Sequence, residues 1–161
     1  MSVFGIQVAA QTVRVYKKGI SKRDALNVLI DAVAATDAVS DVEAFRRSVH
    51  DREAVMSTGI GSGVAIPHVR IDEVSRPTVA VGVSHEGIDF DTLDHEPVYV
   101  VVLFAMPSGS QREYLGLLAQ VMQSLKAPGF RDRLVECRTP EEIAHVLDGE
   151  DVPGGSSDAP R

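Results

Sequence analysis

Nine consecutive apolar residues, Val98 to Met106, constrain this chain more than any other feature. The run is rich in β-branched residues and shows no helical period, so it reads as a strand buried on both faces. Such a strand sits inside a sheet and needs cover on each side. Thr78 to Ser84 is a second run of this kind, and Thr12–Tyr16 predicts a short third strand.

Segments with helical spacing supply the cover. Ser21-Lys-Arg-Asp24 reads as a capping box, and Leu26, Leu29, Ile30 and Val33 follow at i, i+3, i+4 and i+7. This predicts a helix to about Ala35. Ser40-Asp-Val-Glu43 repeats the cap before a second helix through Val42, Phe45 and Val49, ending near Arg52. Tyr114, Leu117, Leu118, Val121 and Leu125 mark a third, broken by Pro128-Gly129. Phe130 to Val135 forms a short helix. Thr139-Pro-Glu-Glu142 caps the last one, with proline where its missing amide costs nothing. The order predicts an α/β fold: a three-layer α/β/α sandwich with a mixed sheet and helices on both faces. One domain is expected over residues 1–148, with a polar, disordered tail at 149–161.

Several functions are disfavoured. Sixteen Lys+Arg against 23 Asp+Glu give a net charge of −7, so nucleic acid is not expected as a partner. The single cysteine, Cys137, excludes an internal disulfide and any multi-cysteine metal site. A lone thiol suits a reducing compartment, and this one reads as a small buried residue at a helix end. A spanning helix needs about 20 apolar residues, more than any run here, so no direct membrane insertion is expected. The first residues lack a signal-peptide pattern, which makes the cytoplasm the expected location.

The glycine-rich stretch Gly59-Ile-Gly61-Ser-Gly63 matches no standard motif. It is not GxGxxG, because residue 64 is Val, and no GKS or GKT follows. Ile60 precludes a GxSxG elbow around Ser62, and HExxH is absent. His68 in Ala65-Ile-Pro-His-Val69 remains, placed past a proline at a strand end. Its imidazole is largely neutral at pH 7 and offers a nucleophilic nitrogen. A packed or solvent-facing loop histidine is the alternative. Arg52 closes the second helix just before the glycine stretch; the alternative is a solvated arginine favoured by the helix macrodipole. A neutral imidazole, a guanidinium fork and glycine amides are together what transient attachment of a phosphoryl group needs.

Asp51-Arg-Glu, Ser57-Thr-Gly-Ile-Gly and Gly63-Val-Ala-Ile-Pro-His68, in this order, resemble the signature of the phosphotransferase-system enzyme IIA domains. The likeness is to the fructose/mannitol class with its nitrogen-regulatory branch. It continues through Gly87-Ile-Asp-Phe-Asp91, Pro97-Val and Arg112-Glu-Tyr-Leu-Gly-Leu-Leu-Ala119, covering roughly residues 10 to 148. The resemblance implies that His68 accepts a phosphoryl group from an HPr-like phosphocarrier and passes it to a cysteine on enzyme IIB. Arg52 then matches the phosphate-contacting arginine, and no metal or other cofactor is implied. Two positions depart from the pattern. Tyr114 stands where the family commonly has a second histidine, and Val69 where a glycine usually follows the active histidine. Both raise the weight of a regulatory role: a binding module on the same fold that controls a transporter or kinase. A third reading is a metal-dependent hydrolase using His68, His85 and His95, although the acidic loop between the last two matches no metal-site spacing. His50 and His145 lie off the apolar stripes and are given no role.

Overall fold

The computed structural model describes residues 4–6, 8–109 and 111–149. The expected tail, apart from Gly149, lies outside the described residues. A 3-10 turn at Ala10–Thr12 leads into β1 (Val13–Val15), α1 (Lys22–Ala34) and α2 (Val42–Val55). Then come β2 (Gly59–Gly61), β3 (Val64–Ala65), β4 (His68–Ile71), β5 (Thr78–Ile88) and β6 (Val98–Pro107). Three helices follow: α3 (Gln111–Lys126), α4 (Phe130–Glu136) and α5 (Pro140–Leu147).

The strands form one mixed sheet in the order β1-β5-β6-β3-β2, with β4 also on β6. β6 runs antiparallel to β5 and parallel to β3 and β4. Its residues Val100, Val102, Phe104 and Met106 face the core under α3, α4 and α5. Val101, Leu103 and Ala105 face the core under α1 and α2. Seven successive buried side chains thus serve two cores, which is why the run shows no polar alternation. The result is the three-layer sandwich expected from the sequence.

Local signals met different fates. Ser21 Oγ accepts from the Asp24 amide at 3.1 Å and Thr139 Oγ1 from the Glu142 amide at 3.1 Å, as their patterns predict. In α2 the cap is Asp41, whose Oδ1 accepts from the Ala44 amide at 3.1 Å, and not Ser40. The Ser40 backbone amide and hydroxyl both donate instead to the Glu73 carbonyl. α2 also continues past Arg52 to Val55, although Val55 is 81% exposed and adds no core contact that a periodicity could reveal. The glycine stretch is a hairpin rather than a loop. Gly61, Ser62 and Gly63 have φ of 89°, 58° and 75°, a turn that glycine makes without strain. A Cβ on Gly63 would lie 2.8 Å from Arg131 Nη1 and 2.9 Å from Tyr99 Cδ2, so close packing adds a second constraint.

Candidate functional site

β4 is the element that places the chemistry, and it follows from Pro67. The Pro67 carbonyl accepts the Phe104 amide at 2.8 Å, and His68 then pairs in register with Phe104. Side chains alternate along β4. Val69 packs into the core beneath α1 and α2. His68 and Arg70 therefore point to the opposite face, toward α3. Val69 has no positive φ, so the missing glycine costs no backbone strain.

The His68 ring is half-buried, and its Nδ1 lies 2.7 Å from the Ile66 carbonyl. A carbonyl only accepts, so in the neutral ring the proton sits on Nδ1 and Nε2 keeps its lone pair. Burial holds the His68 pKa below the ordinary histidine value, the bond to Ile66 opposes that, and the Arg52 charge lowers it further. Glu53 acts in the opposite sense to Arg52. The ring is thus neutral and nucleophilic at pH 7.

A titration follows from this. The His68 ring protons, watched by NMR, are expected to shift with a midpoint below the unperturbed value of about 6.5. Because the folded pKa is depressed, the unfolded chain binds this proton more readily. The group's contribution to stability is therefore intact above about pH 6.5 and is lost as pH falls through the folded midpoint. A midpoint above 6.5 would contradict the burial seen here.

Arg52 lies in the last turn of α2, where Nη1 donates to the Met56 carbonyl at 3.0 Å. No carboxylate pairs with it among the described residues. Its charge is felt at both His68 and Tyr114. The Tyr114 ring centre lies 6.3 Å from that of His68, tilted by 45°, and its ring stacks on Phe104 at 6.1 Å. Burial raises the Tyr114 pKa, against the opposing charges of Arg70 and Arg52, so the group stays a neutral phenol. The fold therefore sets Tyr114 against His68, and the charge of Arg52 reaches both.

Sequence reasoning missed two residues. Glu53 belongs to the Asp51-Arg-Glu motif, yet only the arginine attracted attention. Its carboxylate is buried, accepts from the Thr58 amide and hydroxyl at 3.1 and 2.7 Å, and pairs with Lys22 Nζ at 2.9 Å. The Thr58 carbonyl accepts the Ile66 amide at 3.0 Å, and the Ile66 carbonyl in turn holds His68. A continuous brace thus runs from Lys22 to the imidazole. Arg70 is the second: its guanidinium lies 5.3 Å above the Tyr114 ring centre. It could be found only by recognising β4, which the polar His68 and Arg70 disguise.

The glycine amides are first of all part of the hairpin. The Gly59 amide donates to Ser57 Oγ at 3.2 Å. Val64 pairs with Val100 and His68 with Phe104, which puts the start of β3 about 13 Å along β6 from the start of β4. A cavity of about 530 Å³ near that turn, lined by Ser62, Tyr99 and Arg131 among others, includes none of the three site residues. The metal alternative also finds no support. His85 Nε2 donates to the Cys137 carbonyl at 2.7 Å. No cluster of three or more His, Cys, Asp or Glu suited to a metal occurs among the described residues. His50 bonds to Asn27 Oδ1 at 2.9 Å and is tied into the α1–α2 contact. Cys137 is buried at the end of α4, as expected. No helix among the described residues is long and apolar enough to cross a membrane.

Comparisons with known proteins show the family and the fold. The family model described as "Phosphoenolpyruvate-dependent sugar phosphotransferase system, EIIA 2" matches residues 7–149. A fructose-specific EIIA component of the phosphotransferase system from Haloferax volcanii is 33% identical over 127 residues, covering 79% of this chain and 82% of that protein. A nitrogen regulatory protein from Pseudomonas aeruginosa is 33% identical over 129 residues, covering 80% and 84%. The crystal structure of nitrogen regulatory protein IIA-Ntr from Neisseria meningitidis superposes with a TM-score of 0.79 at 23% identity, over 90% of this chain and 98% of that one, and so shares the fold. The signature around His68, the sandwich that carries it and the match across nearly the whole described chain make this protein a member of the EIIA 2 family of the phosphoenolpyruvate-dependent sugar phosphotransferase system.

Proposed function

We propose that this chain is a phosphocarrier whose His68 Nε2 accepts a phosphoryl group from phospho-HPr or a related carrier. One observation carries the reading: the Ile66 carbonyl fixes the proton on Nδ1, leaving a nucleophilic Nε2 within reach of the charge of Arg52, whose guanidinium pairs with no carboxylate among the described residues. In the step, the Nε2 lone pair forms a bond to phosphorus as the donor's phosphorus–nitrogen bond breaks. The electron pair of that bond returns to the donor's imidazole. The Nδ1 proton stays on His68, where the Ile66 carbonyl stabilises the positive ring. Arg52 supplies donors to the equatorial oxygens, the main demand of phosphoryl transfer. The neutral Tyr114 hydroxyl can add one hydrogen bond.

For discharge, a thiolate of enzyme IIB attacks phosphorus, and the electron pair returns to Nε2. The protein works in the cytoplasm, where both partners would be met. A fructose-specific EIIA component and a nitrogen regulatory protein are each 33% identical to this chain, and the same transfer chemistry would serve sugar uptake and regulation alike. The uncharged Tyr114 favours the second reading, a module that controls a transporter or kinase by binding.

The test is intact-mass spectrometry after incubation with phosphoenolpyruvate, enzyme I and HPr from the same organism. A gain of one phosphoryl group is expected, with a nitrogen-linked phosphorus resonance at Nε2. No gain, in a mixture where HPr itself is loaded, sinks the carrier reading and leaves binding alone.

A further inference from the structure

Arg70 lies on β4 two residues beyond His68, on the same face of the strand. Its guanidinium sits over the Tyr114 ring, and that ring in turn faces His68. Among the described residues the Arg70 side chain forms no ion pair and no hydrogen bond, although it is half-buried. An arginine in this setting has its orientation set by stacking while its five N–H donors remain available. Several other arginines are spent on carboxylates: Arg46 on Asp31, Arg76 on Asp37 and Arg131 on Asp132.

A phosphoryl group on His68 brings close to two negative charges. Arg52 has one N–H committed to the Met56 carbonyl and approaches from the end of α2. On the side facing α3 stand the neutral Tyr114 phenol and, over its ring, Arg70. Phe104 lies under the Tyr114 ring and fixes the plane on which the guanidinium rests. Tyr114 therefore acts as a platform as well as a hydrogen-bond donor.

We propose that Arg70, seated on the Tyr114 ring, is the second cationic ligand of the phosphoryl group carried by His68, opposite Arg52. The inference rests on the carrier reading above. With Arg70 engaged, the charge of the group is shared between two guanidinium forks that arrive from different elements.

The test uses the full chain and two donors, phospho-HPr and phosphoramidate. The second is a small nitrogen-linked donor that needs no protein docking. Arg70→Gln is expected to slow loading from both donors by about ten- to a hundredfold, the worth of one charge-assisted hydrogen bond. Arg70→Lys, which keeps the charge and loses the fork, should recover part of that loss. Thermal melts of both variants should stay close to the wild type, since neither breaks an ion pair. Loading of Arg70→Gln at the wild-type rate overturns the inference, as does a loss confined to phospho-HPr, which would make Arg70 a docking residue. A wild-type chain that loads from neither donor is a different failure, because it removes the carrier reading itself.

Discussion

His68→Ala protein is expected to take up no phosphoryl group under conditions that load the wild type, as read by intact mass. Among the described residues none near the site is placed to replace the lost nitrogen. Tyr114 keeps its proton, since burial holds its pKa above the ordinary phenol value. The Cys137 thiol is pushed up to about 11 by burial and sits at the end of α4. His50 bonds to Asn27 and His85 bonds to the Cys137 carbonyl, so neither is free to take over. The substitution leaves the scaffold intact. It removes one half-buried side chain at the start of β4, and Val69, not His68, anchors that strand in the core. Melting temperatures of variant and wild type should lie within a few degrees, so lost loading cannot be charged to unfolding. Residual loading at more than a trace would mean that another nucleophile does the work.

The second large effect is expected at Glu53. Replacing it with Ala leaves Lys22 without its partner and the Thr58 amide and hydroxyl without their acceptor. Breaking a buried ion pair from one side costs about 3–5 kcal/mol. Lys22 keeps partial contact with water, which places the loss toward the lower end. Urea unfolding checks the figure. Glu53→Gln retains one acceptor oxygen and should cost about half as much, in line with a hydrogen bond to a charged group. It also tests the reach of the Glu53 charge. Glu53 raises the His68 pKa, so its neutralisation should move the His68 midpoint further down. An unmoved midpoint would show that this charge does not reach the imidazole, and unchanged stability that the buried pair contributes nothing.

The sequence made some features legible and hid others for physical reasons. Val98–Met106 announced the central strand because burial on both sides demands apolar residues throughout. The helices around Leu26, Phe45 and Val121 were legible from periodicity, since each has one face in a core. β4 was hidden because two of its four residues, His68 and Arg70, are polar and half-buried, facing α3 rather than the core under α1 and α2. β5 runs on through His85 and Glu86, whose exposure gives them the composition of a loop. His68 and Arg52 emerged from the type and order of residues, and Tyr114 from its departure from the family pattern. Glu53 escaped notice because its importance lies in what it touches: a buried carboxylate looks, in sequence, like any helix-end acid. The glycine stretch was legible only as a run of small residues; in the fold it shapes a hairpin turn, with Arg131 donating to the Ser62 carbonyl.

The hydrogen bond from His68 to Ile66 spans only two residues of one chain segment. The reactive tautomer is therefore selected during folding, before any donor arrives, and no encounter has to spend free energy on choosing it. Loading would then alter the electric field of one surface while the strand beneath it keeps its shape. A protein that tells the charged state from the empty one by that field should discriminate less well as ionic strength rises.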